Sequence, residues 1–209
     1  MGRTSDADER LMTAALDLMW EESYGAVSID DICQRAEVKK GSFYYFFDSK
    51  AELAAAALEK LWRDDWKSKL DACFSPSVEP LERLKNYMAA IYEKHASHFK
   101  QTGHVLGCPV CSVGSEVSTQ EIDLSAKIRE IVARKRRYYE SAIRDAIAEG
   151  VIEPGDPGEK AVGLACLIEG AVSQARIMND PELLKPLPVA MLALLGAKSP
   201  ATATSATAK

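Results

Sequence analysis

The sequence predicts an all-α protein. Apolar residues recur at three- and four-residue intervals along most of its 209 residues, and no stretch shows the period-two alternation of a half-buried strand. The breaks between periodic segments carry helix caps and stops. Composition agrees, since 47% apolar and 27% charged residues describe a globular chain. No 18-residue apolar run or leader segment is read, so a cytoplasmic protein without membrane contact is expected.

The first helix is predicted from about Asp6 to Ser23, with Leu11, Ala14, Ala15 and Leu18 on one face and Gly25 as its stop. Ser28 can cap a short second helix whose Ile29, Ile32, Cys33 and Ala36 form one buried stripe. A turn at Glu37 and Val38 leads to a third helix near Lys39, with Phe43 and Phe47 inward and Lys40, Ser42 and Tyr44 nearer the outside. Ser49 and Glu52 read as a capping box opening a helix that continues to about Cys73 through Leu53, Ala57, Leu61 and Leu70.

Pro76 and Pro80 end that run, and Leu81, Leu84, Met88, Ile91 and His95 then mark a helix from Pro80 to about Thr102. A short helix is expected over Cys108 to Val117. Ser118 and Glu121 read as another capping box, opening a long helix with Leu124, Ile128, Ile131, Ala142 and Ile143 inward and Gly150 at its end. Asp156, Pro157 and Glu159 supply the N-cap, first-turn proline and capping partner of a helix to about Asn179. Leu187 to Leu195 forms the last helix, and the Ala, Thr and Ser stretch from Ala197 to Lys209 is expected to be disordered.

Two short helices joined by a tight turn, the second carrying lysine, serine and tyrosine outward, are the layout that presents a helix to a major groove. The start of that helix offers backbone N–H groups and a positive dipole end to a phosphate, with Lys39, Lys40 and Lys50 beside it. Charge argues the other way. The chain carries net charge −5, and residues 1–50 hold six Lys and Arg against ten Asp and Glu. A local cluster matters more than the net charge, and Asp6, Asp8, Glu9, Asp17, Glu21, Glu22, Asp30 and Asp31 are expected to lie away from the lysines.

Residues 8 to 60 resemble the helix-turn-helix of the tetracycline-repressor (TetR) family of bacterial regulators. The likeness rests on Val27, Ser28, Ile29, Ile32, Ala36, Val38, Gly41, Ser42, Phe43, Tyr44, Tyr45, Phe47, Ser49, Lys50 and Leu53. It implies a DNA-binding regulator, most often a repressor, that meets a palindromic double-stranded operator as a homodimer and is released by a small-molecule effector. It implies no enzymatic activity and no cofactor. Carried over by position, the DNA contacts are Ser28, Lys39, Lys40, Gly41, Ser42, Tyr44, Tyr45 and Lys50, with Tyr44 and Lys50 foremost at phosphates. Glu37 stands where the family usually has glycine, and Phe46 where it often has histidine or tyrosine.

The implied organisation is a helix-turn-helix domain over residues 1–50, a larger helical effector-binding and dimerisation domain over 51–196, and a tail over 197–209. Gly163, Ala165, Gly170, Ala171, Ser173 and Ala175 allow close approach of another helix, and the last helix is apolar nearly all round. Both are therefore expected at a homodimer interface, as a four-helix bundle about a two-fold axis. The stretch from Glu149 to Val162, with IEGAVSQAR after it, is similar to the start of the dimerising helices in many TetR-type proteins.

Trp62, Trp66, Tyr87, Tyr92, Phe99 and Tyr138, with Tyr139, are aromatics that either fill a core or line an effector pocket. His95, His98, His104, Cys108 and Cys111 crowd into a short span. They read as buried thiols beside half-exposed histidines, as a C-x-x-C thiol switch at a helix N-terminus, or as a metal site of His104, Cys108 and Cys111 that lacks a fourth ligand. No metal is assigned. Gly107, Cys108, Val113 and Glu116 also resemble a TetR branch that includes electrophile-responsive repressors, with Cys111 an addition of this chain. The run Arg134 to Arg137 is expected either to make one solvated face or to pair with Glu130 and Glu140. Two rival readings are a thiol oxidoreductase, which lacks the usual βαβ setting, and a DNA-bound structural factor that senses no small ligand.

Overall fold

The computed structural model describes residues 6–117 and 119–197. Among these residues the regular structure is helical, with one isolated bridge pairing Ile152 and Ala197. Ala197 is therefore held, contrary to the expectation of a disordered tail beginning there. Residues 198–209 and Ser118, with its expected capping box, lie outside the described residues.

The chain forms two compact units, Met1–Ser68 with Leu106–Ala133, and Lys69–Val105 with Arg134–Lys209. In the first, α1 (Ala7–Glu21) packs against α2 (Ile29–Arg35), α3 (Lys40–Phe46), α4 (Lys50–Leu61) and α7 (Pro109–Val117). Leu11, Ala15, Ile32, Phe43 and Leu53 are fully buried there, and each larger side chain removes apolar surface worth about 1.5–3 kcal/mol from water. The predicted helix from Ser49 to Cys73 is interrupted. One turn of π-helix at Trp62–Trp66 separates α4 from α5 (Lys67–Cys73), with the Lys67 N–H returning to the Trp62 carbonyl. Ser49 accepts the Glu52 N–H as predicted (3.1 Å), but the Glu52 carboxylate takes the N–H of Asp48 instead of that of Ser49 (2.7 Å).

In the second unit, α6 (Pro80–Thr102) and α9 (Pro157–Met178) pack on a 3₁₀ turn at Pro181–Leu184, and both meet α10 (Leu187–Leu195). Asp156 caps α9 through the Glu159 N–H (2.8 Å), as the sequence predicts. Asn179 ends α9 in the left-handed region (φ 50°), where its amide donates to the Gly103 carbonyl and accepts from the Val105 N–H, both at 2.9 Å. The long helix α8 starts at Ile122 instead of Ser118 and ends at Ala148. Arg83 is buried and donates to the carbonyls of Val78 (2.6 Å) and Pro76 (3.2 Å) and to the Asp145 carboxylate. By length and composition alone α9 could cross a membrane, contrary to the expectation that no such apolar run is present.

Candidate nucleic-acid interface

The helix-turn-helix is built by local rules that can be followed residue by residue. Ser28 accepts the Asp31 N–H (3.2 Å) and the Asp31 carboxylate accepts the Ser28 N–H (2.9 Å), a reciprocal box that starts α2. Its end is a Schellman turn, in which the Val38 N–H reaches the Cys33 carbonyl (2.9 Å) and the Glu37 N–H that of Gln34 (3.1 Å). That geometry places Glu37 at φ 53°, a conformation that costs a residue with a side chain about 1–2 kcal/mol. Arg10, from α1, donates to the carbonyl of Ala36 (2.9 Å) and more weakly to that of Glu37 (3.4 Å), taking up orphan acceptors at the end of α2. No sequence signal singles out Arg10 for that task.

α3 begins after Lys39 with no side chain capping it. Phe43 and Phe47 are buried and their rings lie 6.1 Å apart, which anchors the inner face. Tyr44 and Tyr45 stand outside at 53% and 81% exposure. Lys39, Lys40 and Gly41 are also exposed, and Ser42 is half-buried. A Cβ at Gly41 would meet no atom within 4 Å, so nothing in the protein itself requires glycine there. The outer face of α3 thus combines aromatic hydroxyls, ammonium groups and an uncovered backbone.

Three expectations need correction. Lys50 does not extend toward a phosphate track; its Nζ donates to the carbonyls of Tyr24 (2.8 Å) and Val27 (2.9 Å) and lies 4.3 Å from the centre of the Tyr24 ring. Burial lowers its pKa, against which Glu121 and Glu116 act to raise it. Satisfying two carbonyls is what turns this lysine inward. Asp30 does not lie away from the lysines, because its carboxylate pairs with Lys40 at 2.8 Å; both groups are exposed, so the pair is weak and screened by salt. The hydroxyl of Ser28 is occupied by the Asp31 carboxylate (2.6 Å) as well as by its capping role.

Residues 11–57 match the model of bacterial regulatory proteins of the tetR family, and residues 80–188 match the tetracyclin repressor-like C-terminal domain. The chain belongs to the tetR family. A relative in Cereibacter sphaeroides, the transcriptional regulator AcuR, is 30% identical over 179 residues, covering 84% of this chain and 79% of that one. The HTH-type transcriptional repressor NemR of Escherichia coli K12 is 26% identical over 185 residues, covering 86% and 89%. Among solved structures, a regulatory protein TetR from Rhodobacter sphaeroides superposes with a TM-score of 0.79 at 28% identity, covering 90% of this chain and 97% of that one. The chain is therefore a helix-turn-helix transcriptional regulator.

In this TetR-family chain the residues expected at an effector pocket fall into separate groups. Tyr87 and Tyr138 join Phe74 and Tyr139 in one aromatic cluster, with ring centres 5.4–5.8 Å apart in the contacting pairs. The Tyr139 hydroxyl bonds that of Tyr87 (3.1 Å), and the Tyr138 hydroxyl donates to Asp71 (2.6 Å). Burial comes first among the causes that push Tyr138 up to about 12, followed by the Asp71 hydrogen bond. Tyr92 instead donates to Glu182 (2.9 Å), and Phe99 is half-buried on α6. Trp62 is buried and Trp66 half-buried, both in the π turn of the first unit.

Cys108 immediately precedes α7, where its carbonyl accepts the Ser112 N–H (2.9 Å), and Cys111 lies in the first turn. Their sulfurs are within 4.8 Å of each other. The three histidines have different settings. His95 is buried and pushed down to about 4, first by burial and then by Lys94 and His98, while His98 is half-buried and His104 exposed. On α8, Lys135 pairs with Glu169 (2.9 Å), Glu130 with Lys127 (2.8 Å) and Glu140 with Arg144.

Proposed function

We propose that this regulator is a repressor that binds a palindromic operator as a homodimer and leaves it when an effector acts on its C-terminal region. The observation that carries DNA reading is the two-sided character of α3, with Phe43 and Phe47 buried and Tyr44, Tyr45, Lys39, Lys40 and Gly41 exposed. Tyr44, Tyr45 and Lys39 are assigned to the DNA backbone, and Gly41 and Ser42 to close approach of the helix. Lys40 joins them once salt or phosphate displaces Asp30. Dimerisation is supported by apolar residues left exposed in the second unit, among them Val162, Ile177 (71%) and Met178 on α9, and Val189 (71%) and Leu194 on α10. A two-fold dimer would set the α3 copies about 34–36 Å apart, one turn of duplex.

The test is selection of duplexes from a random pool by the purified full chain, followed by anisotropy titrations on the recovered sequence. An inverted repeat should emerge, and Tyr45→Ala and Lys39→Ala should each weaken binding with little change in thermal midpoint. A recovered pool without dyad symmetry would refute dimeric operator reading.

The placement of Cys108 and Cys111 favours a thiol-responsive version of the same reading. A hydroperoxide could accept the two electrons and two protons given up by the pair, leaving a disulfide, an alcohol and water. Sulfurs within 4.8 Å must still approach to about 2 Å, so α7 would have to adjust. Cys108→Ser should retain operator binding and lose release by peroxide. Equal release in the variant would remove the cysteines from the mechanism.

A further inference from the structure

Between α1 and α2 the chain turns through Ser23 to Val27, and charged side chains hold that turn from more than one side. The successive N–H groups of Tyr24 and Gly25 converge on the carboxylate of Glu116, at 3.2 Å to Oε1 and 2.8 Å to Oε2. From α4, Lys50 caps the Tyr24 and Val27 carbonyls of the same turn. The Tyr24 hydroxyl donates to Glu121 (3.3 Å), and burial, then this carboxylate, push its phenol up to about 12. Glu116 lies near the end of α7, and at the start of that helix the Trp20 indole N–H donates to the Gly107 carbonyl (3.0 Å). α7 is thus fastened to α1 at one end and to the α1–α2 turn at the other, wholly within the first unit.

Glu116 and Gly25 are both exposed, so water could satisfy either group. The two-point grip contributes little to burial and much to position. The turn leads directly into Ser28, the cap of α2, and α2 is joined to α3 by the Schellman turn, so a shift at Tyr24 and Gly25 moves both helices together.

Resting on the DNA-reading assignment above, we infer that Glu116 is a positioning residue for operator recognition: its carboxylate, opposed by Lys50, sets the α1–α2 turn and thereby the seat of α3 in the groove. α7 is then the element through which a change near Cys108 reaches the DNA-reading pair. The sign of the effect separates this role from simple charge. Removing an acid from a DNA-binding unit should tighten binding by Coulomb attraction alone, whereas loss of a positioning contact loosens it.

The experiment compares wild type, Glu116→Gln and the neighbouring control Ser115→Ala on the duplex that the wild type selects and on a random duplex of equal length. A carboxamide of the same shape keeps one acceptor and turns an NH₂ toward the second amide. Dissociation constants for the selected duplex should rise roughly tenfold, while binding to the random duplex tightens slightly through the lost negative charge and the slope against salt is unchanged, because no phosphate contact is lost. Hydrogen exchange over residues 24–27 should accelerate, and the thermal midpoint should scarcely move. Unchanged or tighter binding to the selected duplex, or equal losses on both duplexes, would overturn the inference. Unchanged exchange over 24–27 would overturn it without reference to DNA, so a wild type that selected no duplex would refute the DNA reading separately.

Discussion

Replacing Glu37 by glycine should stabilise the protein, although it removes a side chain. Glu37 occupies the left-handed region (φ 53°) because the Schellman turn after α2 needs a residue of that conformation between Ala36 and Val38. The side chain makes that conformation costly, by about 1–2 kcal/mol, and glycine adopts it freely. Glycine also loosens the unfolded chain, which returns about 0.4–1 kcal/mol of the gain. The expected net is about 0.5–1 kcal/mol, or about 1–4 °C in thermal midpoint for a chain of this size. Glu37→Ala is the control, since it removes the same charge and keeps the strain, and it should melt within about 1 °C of wild type. Urea titrations of the three proteins side by side decide the matter. If glycine and alanine variants unfold at the same midpoint, strain at this turn is not the reason for any change, and the reasoning fails. The pair also separates charge from strain in DNA binding, because both variants should tighten binding to random duplex equally, and less so as salt rises.

Gly41→Ala should raise stability by up to about 1 kcal/mol, since no atom lies within 4 Å of the added carbon, yet weaken operator binding if the α3 backbone approaches DNA at that point; undiminished affinity in anisotropy titrations would place the approach elsewhere. Arg83→Met should cost about 2–4 kcal/mol in urea unfolding, because the carbonyls of Val78 and Pro76 and the Asp145 carboxylate lose a buried common donor; a loss below about 0.5 kcal/mol would refute that account. His95 binds its proton only near pH 4 when folded against 6.5 when unfolded, so its contribution is complete above pH 6.5 and is lost as pH falls toward 4. The span corresponds to roughly 3 kcal/mol, and the charges of Lys94, His98, Lys135 and Glu169 act on the ring. His95→Gln should flatten the decline in stability between those pH values, and an identical decline would point to other groups.

Helix identity and most helix ends were legible in the amino-acid string because they depend on neighbours in the chain. The caps at Ser28, Ser49 and Asp156, the inward pair Phe43 and Phe47, and the need for a left-handed residue at Glu37 are all settled within a few positions of themselves. The π turn at Trp62–Trp66 was not legible, since one extra residue in a helical turn leaves the apolar spacing almost as it was.

Side-chain commitments across the chain depended on tertiary structure. Lys50 reads from sequence as a phosphate binder, but two carbonyls on the α1–α2 turn and the Tyr24 ring claim its ammonium. Asp30 is ten residues from Lys40 and pairs with it only because the turn folds α2 back toward α3. Arg10 and Arg83 carry no motif, the likeness that includes Glu116 says nothing of its contacts, and the partners of all three lie at separations up to 92 residues. A cap is a contest decided between adjacent backbone groups, whereas a long, flexible charged side chain goes to whichever acceptors folding brings within its reach, and their identity is set by the packing of helices distant in sequence.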